Sequence, residues 1–137
     1  MSAIHENQES LSVKLPQAPI DQWQEEDIIG CAEALAKSIS KDVKTNQVRN
    51  FFSGVLRIKA DFARSKSYES VRLAVLMLKP KLAYAAGRQN KVKFFAEKMT
   101  EVVEATLQAG NTQALERFFL FVESVVAYHK YYGGKDN

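Results

Sequence analysis

The sequence predicts an all-α protein, a single compact bundle of about five helices with a largely buried central helix. Two observations carry this prediction. Apolar residues recur at helical spacing in five successive segments between residues 25 and 132, and no segment alternates in the way a half-buried strand does. The chain has 137 residues, of which 46% are hydrophobic and 26% charged, so one helical core in one domain is expected.

The start of the chain differs from the rest. Residues 1–22 lack apolar periodicity and contain Pro16 and Pro19, so they are predicted to form a flexible N-terminal arm. The helical bundle domain is expected over residues 23–134, followed by a disordered tail at 135–137. The sequence shows neither a secretion signal nor a run of 18 apolar residues. A single cysteine, Cys31, closes no internal disulfide, so a cytoplasmic protein is expected.

The first two predicted helices each have one apolar face. The first runs from about Glu25 to Ser40, and its acidic start suits the positive end of a helix dipole. The second runs from about Asn46 to Phe62, with Thr45 as its N-cap. Its apolar face carries Val48, Phe51, Phe52, Val55 and Phe62. Its opposite face carries Asn50, Ser53, Arg57 and Arg64.

The third predicted helix, from about Tyr68 to Lys79, is apolar almost all round, so it is expected to be the central, buried one. Its narrow polar strip holds Tyr68, Arg72 and Lys79. Pro80 cannot continue this helix but can open a new turn. Residues 81–86 are therefore predicted to form a separate short helical piece that ends at Gly87.

The last two predicted helices run from about Lys91 to Ala109, ended by Gly110, and from about Thr112 to Tyr132. The residues expected to face inward are Val92, Phe95, Met99, Val102, Val103 and Thr106 in the fourth helix, and Leu115, Phe118, Phe119, Val122, Val125 and Val126 in the fifth. Four apolar residues fall outside these core faces: Phe94, Leu120, Tyr128 and Tyr131. They either pack against another helix of the bundle or contact a partner protein or a second copy.

The sequence contains no recognisable catalytic arrangement. Of the two histidines, His5 lies in the predicted arm and His129 lies on an apolar helix face, where a structural role is expected. Cys31 has no partner at metal-ligand spacing, and no glycine-rich phosphate loop is present. A nucleophile with an activating base is also missing. We therefore expect a protein that is not an enzyme and that carries no cofactor and no metal.

Basic and acidic residues are concentrated in different segments of the chain, although the net charge is only +3. Residues 44–98 carry thirteen basic and three acidic side chains, whereas residues 1–43 carry three and eight, and residues 99–137 carry three and five. In a compact bundle the basic residues of the middle segment can meet on one surface. Such a surface favours a polyanion, bound through its phosphates with strong salt dependence and little sequence dependence. The alternative is a solvated basic face that keeps the protein in solution.

Three segments, taken in order, resemble a known family. They are residues 45–52, TNQVRNFF, residues 78–88, LKPKLAYAAGR, and residues 118–131, which begin FF and end VVAYHKY. In order and spacing they are similar to the small subunit of the type III-A CRISPR–Cas effector, the Csm complex. The resemblance covers about residues 25–132. Its most specific parts are the KPKLAY and AYHK stretches.

The resemblance implies a helical bundle without enzymatic activity that stacks in several copies along the effector. It implies binding of the guide RNA and the target RNA in antiviral defence, and contacts to other subunits of the complex, which do the cutting. The residues expected to bind RNA phosphates are Arg49, Lys79, Lys81 and Arg88 by motif, and Arg57 and Arg64 by the helix-face argument. Tyr84 either stacks on a base or ribose or packs beneath the turn at Pro80.

Two other functions were compared with RNA binding. A protein-interaction module that docks acidic partners, without binding nucleic acid, would use the same basic face. A helix-turn-helix regulator would need a polar recognition helix, which the apolar third helix does not supply. Self-association, as a filament or as a dimer in isolation, is expected from the spare apolar residues.

Overall fold

The computed structural model describes residues 13–134, which form five α-helices and two short 3-10 turns and contain no strand. The helices are α1 (Glu25–Ile39), α2 (Thr45–Ser65), α3 (Tyr68–Arg88), α4 (Lys93–Ala109) and α5 (Thr112–Tyr131). The 3-10 turns are Ile20–Gln22 and Asn90–Val92. The prediction of an all-α bundle of about five helices is confirmed.

The helix ends reflect local sequence. Gly110 ends α4 in the left-handed region at φ +62°, where a residue without Cβ is favoured. The next residue, Asn111, is the N-cap of α5, because its side-chain oxygen accepts the backbone N–H of Ala114 at 2.8 Å. At the start of α2 the N-cap position belongs to Lys44, and the predicted N-cap, Thr45, is the first helical residue.

The last helix, α5, is the central one. It packs against α1, α2, α4 and the Ile20–Gln22 turn. Its side chains Phe118 and Phe121 are fully buried, and the ring of Phe121 meets that of Trp23 edge-on, with 6.4 Å between centroids. The inward-facing residues predicted for the last two helices are buried, apart from Val126, which is half-buried.

The prediction that the third helix is buried all round is wrong. One face of α3 is buried through Val71, Val75 and Leu78, but Leu73 and Met77 on the opposite side are 66% and 45% exposed. The reason is that α3 lies at the edge of the bundle, where it packs mainly against α4 and α2. An apolar side chain can stay in water when no neighbouring helix covers it, so composition alone did not fix the position of this helix.

The helix α3 is also longer than predicted. It continues through Pro80 to Arg88 with no separate piece at residues 81–86, and Gly87 does not end it. Pro80 removes one backbone donor, so the carbonyl of Leu76 loses its intrahelical partner. Because Pro80 lies on the exposed side of the helix, water can bind that carbonyl, and the helix tolerates the proline.

The predicted flexible arm is wrong for residues 13–22. Val13 and Ile20 are buried in the core, and the indole N–H of Trp23 donates to the carbonyl of Ala18 at 2.9 Å. The apolar residues of this segment lack helical spacing because the chain is irregular up to the Ile20–Gln22 turn, so periodicity could not reveal them. The remainder of the predicted arm, residues 1–12 with His5, and the predicted tail at 135–137 lie outside the described residues.

His129 has the structural role that its position predicts. It is 1% exposed, and its Nε2 lies 2.7 Å from the carbonyl oxygen of Val43, which ties α5 to the loop between α1 and α2. The backbone of Gly134 covers the ring so closely that a Cβ there would lie 2.2 Å from it. A buried histidine with a hydrogen-bond partner stabilises the fold rather than serving as a ligand.

Candidate nucleic-acid interface

The helices α2 and α3 form an antiparallel hairpin joined by Lys66 and Ser67. Lys66 ends α2 in the left-handed region at φ 56°, and the Ser67 hydroxyl accepts the backbone N–H of Ser70 to begin α3. At the end opposite this turn, the two helices enclose a cleft of about 460 Å³. Val92 and Phe95 lie at its back, so the turn after α3 closes the third side.

Helical spacing explains which side chains line the cleft. Asn46, Asn50 and Gly54 are four residues apart on α2 and share one face. Lys81, Tyr84 and Arg88 follow at steps of three and four on α3 and form the opposite wall. Apolar side chains lie between the two walls: Phe51, Leu78, Leu82 and Phe95. The cleft is therefore apolar within and polar or cationic at its walls.

The structure brings two predicted cations together at this cleft, Lys81 and Arg88. The guanidinium of Arg88 lies over the Tyr84 ring, 5.9 Å from its centroid. Tyr84 is 68% exposed, so the alternative that it packs beneath the turn at Pro80 is wrong. Its ring and the Arg88 plane are open to solvent at the rim.

Arg57 and Arg64 lie on the same side of α2 as Asn46 and Asn50, nearer to the hairpin turn. Steps of seven residues separate Asn50, Arg57 and Arg64, which corresponds to about 10 Å along the helix at each step. Arg64 forms an exposed ion pair with Asp61. Exposed pairs of this kind are weak, so a phosphate can compete for the guanidinium.

Arg49 and Lys79 lie elsewhere. Lys79 is two residues before Lys81, which turns it to the other side of α3, and its Nζ lies 3.0 Å from a carboxylate oxygen of Glu104 on α4. Arg49 is rotated by about 80° around α2 from Arg57 and does not line the cleft. The six predicted residues therefore do not form one cluster. Two of them, Lys81 and Arg88, line the cleft, and the other four do not.

Sequence reasoning did not single out three lysines that are close in sequence to the cleft residues. Lys91 and Lys93 are the sequence neighbours of Val92, and Lys44 is the residue before α2, although none of the three lines the cleft itself. These three lysines are exposed, and their side chains form no ion pair with any residue from 13 to 134. All three belong to the basic block of residues 44–98, which was the available signal.

Most basic side chains of residues 44–98 form no ion pair with the described residues. Of the thirteen basic side chains, the ones that form ion pairs within the described part of the chain are Lys59, Arg64, Lys79 and Lys98. The partners of Lys59 and Lys79 are Glu123 on α5 and Glu104 on α4. The cations near the cleft thus keep their charge for an external anion.

Three further findings concern the rest of the described chain. No three His, Cys, Asp or Glu side chains within residues 13–134 lie close enough to hold a metal ion. Burial, and secondarily the charge of Asp27, raise the pKa of the Cys31 thiol, which disfavours the reactive thiolate. Among the helices of the described region, none is both long and apolar enough to cross a membrane.

Comparison with known proteins identifies the family. The family model "Csm2 Type III-A" matches residues 22–135, which include all five helices and the cleft. The chain belongs to the type III-A Csm2 family. A Csm2 relative from Streptococcus thermophilus, described as "CRISPR system Cms protein Csm2", is 30% identical over 118 residues, which cover 82% of this chain and 96% of the relative. No solved structure matches the chain.

The family membership confirms the resemblance predicted from the three sequence segments. The matched region begins at residue 22, within the 3-10 turn that packs on α5. This chain is therefore a Csm2-type small subunit of a type III-A CRISPR system.

Proposed function

We propose that this Csm2-type chain is a non-catalytic subunit of a type III-A effector complex that holds guide and target RNA in antiviral defence. The observation that carries the proposal is the grouping of Lys81 and Arg88 at the α2–α3 cleft without acidic partners among the described residues. Basic side chains that keep their charge bind phosphates and release counterions, whatever the base sequence.

Repetition supplies the affinity that one copy lacks. A single hairpin presents only a few cations, so a free subunit binds RNA weakly. Copies stacked along one strand bind far more tightly, because each bound copy raises the effective concentration of the next. Exposed apolar side chains on the outer side of the hairpin suit contacts with another copy or with other subunits: Leu56, Leu73 and Met77. In isolation we expect the same surface to allow self-association.

A salt titration of RNA binding tests the proposal. A labelled single-stranded RNA is titrated with the full chain, and fluorescence polarisation is measured at several salt concentrations. If about four phosphates are neutralised, log K should fall with log salt with a slope of about −3. Binding that does not change with salt would contradict phosphate binding.

A charge-reversal pair locates the surface. The variant Lys81→Glu with Arg88→Glu should lose at least tenfold in affinity, about 1.4 kcal/mol. The matched control reverses Lys14 and Lys41, which are exposed and lie outside the basic block. The control changes the net charge equally and should cost much less. Equal losses of affinity in both variants would assign the effect to net charge and not to the cleft. Absence of any RNA binding by the unmodified chain would favour the module that docks acidic proteins.

A further inference from the structure

We propose that the α2–α3 cleft binds one unstacked nucleobase of the RNA that the hairpin holds. The proposal rests on the proposed function, because the backbone must be bound nearby for a base to enter. RNA is commonly recognised through bases that leave the stack, pack on an aromatic ring or a guanidinium plane, and form hydrogen bonds through their edges. The cleft presents each of these components.

The interior of the cleft suits the faces of a planar ring. Its volume of about 460 Å³ lies in the range of small-molecule sites. Phe51, Leu82 and Phe95 supply apolar surface inside it. A phosphate alone would not be stabilised inside the cleft, because the apolar side chains there offer it no hydrogen-bond donor. An apolar, planar group carried on a polyanion combines both requirements.

The α2 wall suits the edge of a base. Asn46 and Asn50 line the cleft, and neither side chain has a hydrogen-bond partner within residues 13–134. Each carboxamide offers two N–H donors and one acceptor oxygen, which is the complement of a base edge. Their exposure leaves them hydrated in the free protein, so exchanging water for a base costs little.

The α3 wall suits stacking. The Tyr84 ring is held at the rim with the Arg88 guanidinium over it, and both groups stack on bases in other RNA-binding proteins. Lys81 lies about one helical turn before Tyr84 and about two before Arg88 on the same wall, where it can hold the phosphate of the inserted nucleotide. A base inside and its phosphate at the rim would then be bound together.

Side-chain hydrogen bonds hold the two walls of the cleft together. The Gln47 side chain donates through Nε2 to Oε1 of Gln89 at 2.5 Å, which joins the start of α2 to the end of α3. The Oε1 of Gln47 accepts the backbone N–H of Lys44 at 2.9 Å, which fixes the amide in this orientation. A site that is held open by such contacts loses less conformational freedom when it binds.

Gly54 offers a test that changes no charge. A Cβ built there meets nothing within 4 Å, so a longer side chain at this position would extend into the cleft. Gly54→Met should therefore fill the site while the surrounding cations stay in place. Gly30→Met is the matched control, because Gly30 is also a helical glycine with open space, on α1 and away from the cleft.

The experiment compares two RNA strands of equal length and charge, one an oligoadenylate and the other abasic throughout. The unmodified chain and Gly30→Met should bind the oligoadenylate about tenfold more tightly, as expected for stacking of one base. Gly54→Met should bind both strands with the affinity of the abasic one. If Gly54→Met does not fold, as judged by circular dichroism, Asn46→Ala with Asn50→Ala replaces it and should reduce the preference.

The outcomes separate the two proposals. An unchanged preference for the oligoadenylate in Gly54→Met, or equal binding of both strands by the unmodified chain, overturns the base site but leaves phosphate binding intact. Loss of binding to the abasic strand in Lys81→Glu with Arg88→Glu supports phosphate binding independently of the base site. Failure of the unmodified chain to bind either strand overturns both proposals.

Discussion

The α1–α5 pair and the α2–α3 hairpin use apolar side chains in opposite ways. Along α5 the phenylalanine rings are covered, with Phe118 and Phe121 fully buried, whereas Tyr131 at the end of the helix is exposed. Along α3 one face is buried, whereas Leu73 and Tyr84 on the other are 66% and 68% exposed. The first region therefore forms the core of the bundle. The second contributes one face to the core and leaves its other face available to partners.

The polar groups differ in the same way. At the α1–α5 pair, His129 binds the Val43 carbonyl and the Tyr132 hydroxyl donates to Glu33, so these groups are used within the protein. At the hairpin, the Asn46 and Asn50 amides have no partner within the described residues. We infer that substitutions in the first region change stability and that substitutions on the hairpin surface change binding.

The largest expected effect is on stability. Phe121→Ala removes a fully buried ring and its edge-on contact with Trp23, so the free energy of unfolding should fall by about 3–5 kcal/mol. Leu73→Ala removes an exposed side chain and should cost less than about 0.5 kcal/mol. Urea denaturation followed by circular dichroism measures both. Similar losses in the two variants would contradict the division between core and surface.

A second prediction concerns the two groups of cations. Lys81→Glu with Arg88→Glu should weaken RNA binding by at least tenfold, about 1.4 kcal/mol. Arg49→Glu with Lys79→Glu makes the same change in net charge outside the cleft and should weaken it only about threefold, by screened long-range repulsion. Fluorescence polarisation with one RNA at one salt concentration compares them. A greater loss in the second variant would move the RNA-binding surface away from the cleft.

The smallest expected effect is a dependence on pH at the α1–α5 pair. The hydrogen bond to Glu33, which needs the protonated phenol, raises the pKa of Tyr132 from 10.0 to about 12. Because the pKa in the folded state is the higher one, this contribution to stability is complete below about pH 10 and is lost as the pH rises towards 12. The stability difference between the unmodified chain and Tyr132→Phe should therefore shrink across that interval. An unchanged difference would show that the bond does not contribute.

The sequence predicted the core helices better than the edge of the bundle. For α4 and α5 the apolar stripe is narrow, so periodicity identified both the helix and its inward face, and Gly110 marked the boundary. For α3 the apolar residues surround the helix, and only its neighbours decide which side is covered. Residues 13–22 pack without any periodic pattern, so they were not recognised as part of the domain.

The sequence predicted which segment carries the candidate site, from its basic residues, but not how those residues are arranged in space. The count of thirteen basic residues against three acidic ones identified the region. The charge count did not show that Lys79 and Lys81 lie on different sides of α3. Their placement depends on the helix continuing through Pro80, which leaves Lys79 beside Glu104. The cleft arises from two segments that are distant in sequence, residues 46–54 and 78–95, and its amides carry no charge to reveal them.

The central claim is that RNA binds at the hairpin and not at the α1–α5 pair. Titration of isotopically labelled full-length protein with a single-stranded RNA, followed by amide chemical shifts, tests it most directly. We predict that the largest shifts fall at residues 44–57 and 81–93, and that the exposed residues of α1 and α5 stay nearly unchanged. Shifts concentrated in α1 and α5, for example around the 76% exposed Tyr131, would contradict the account.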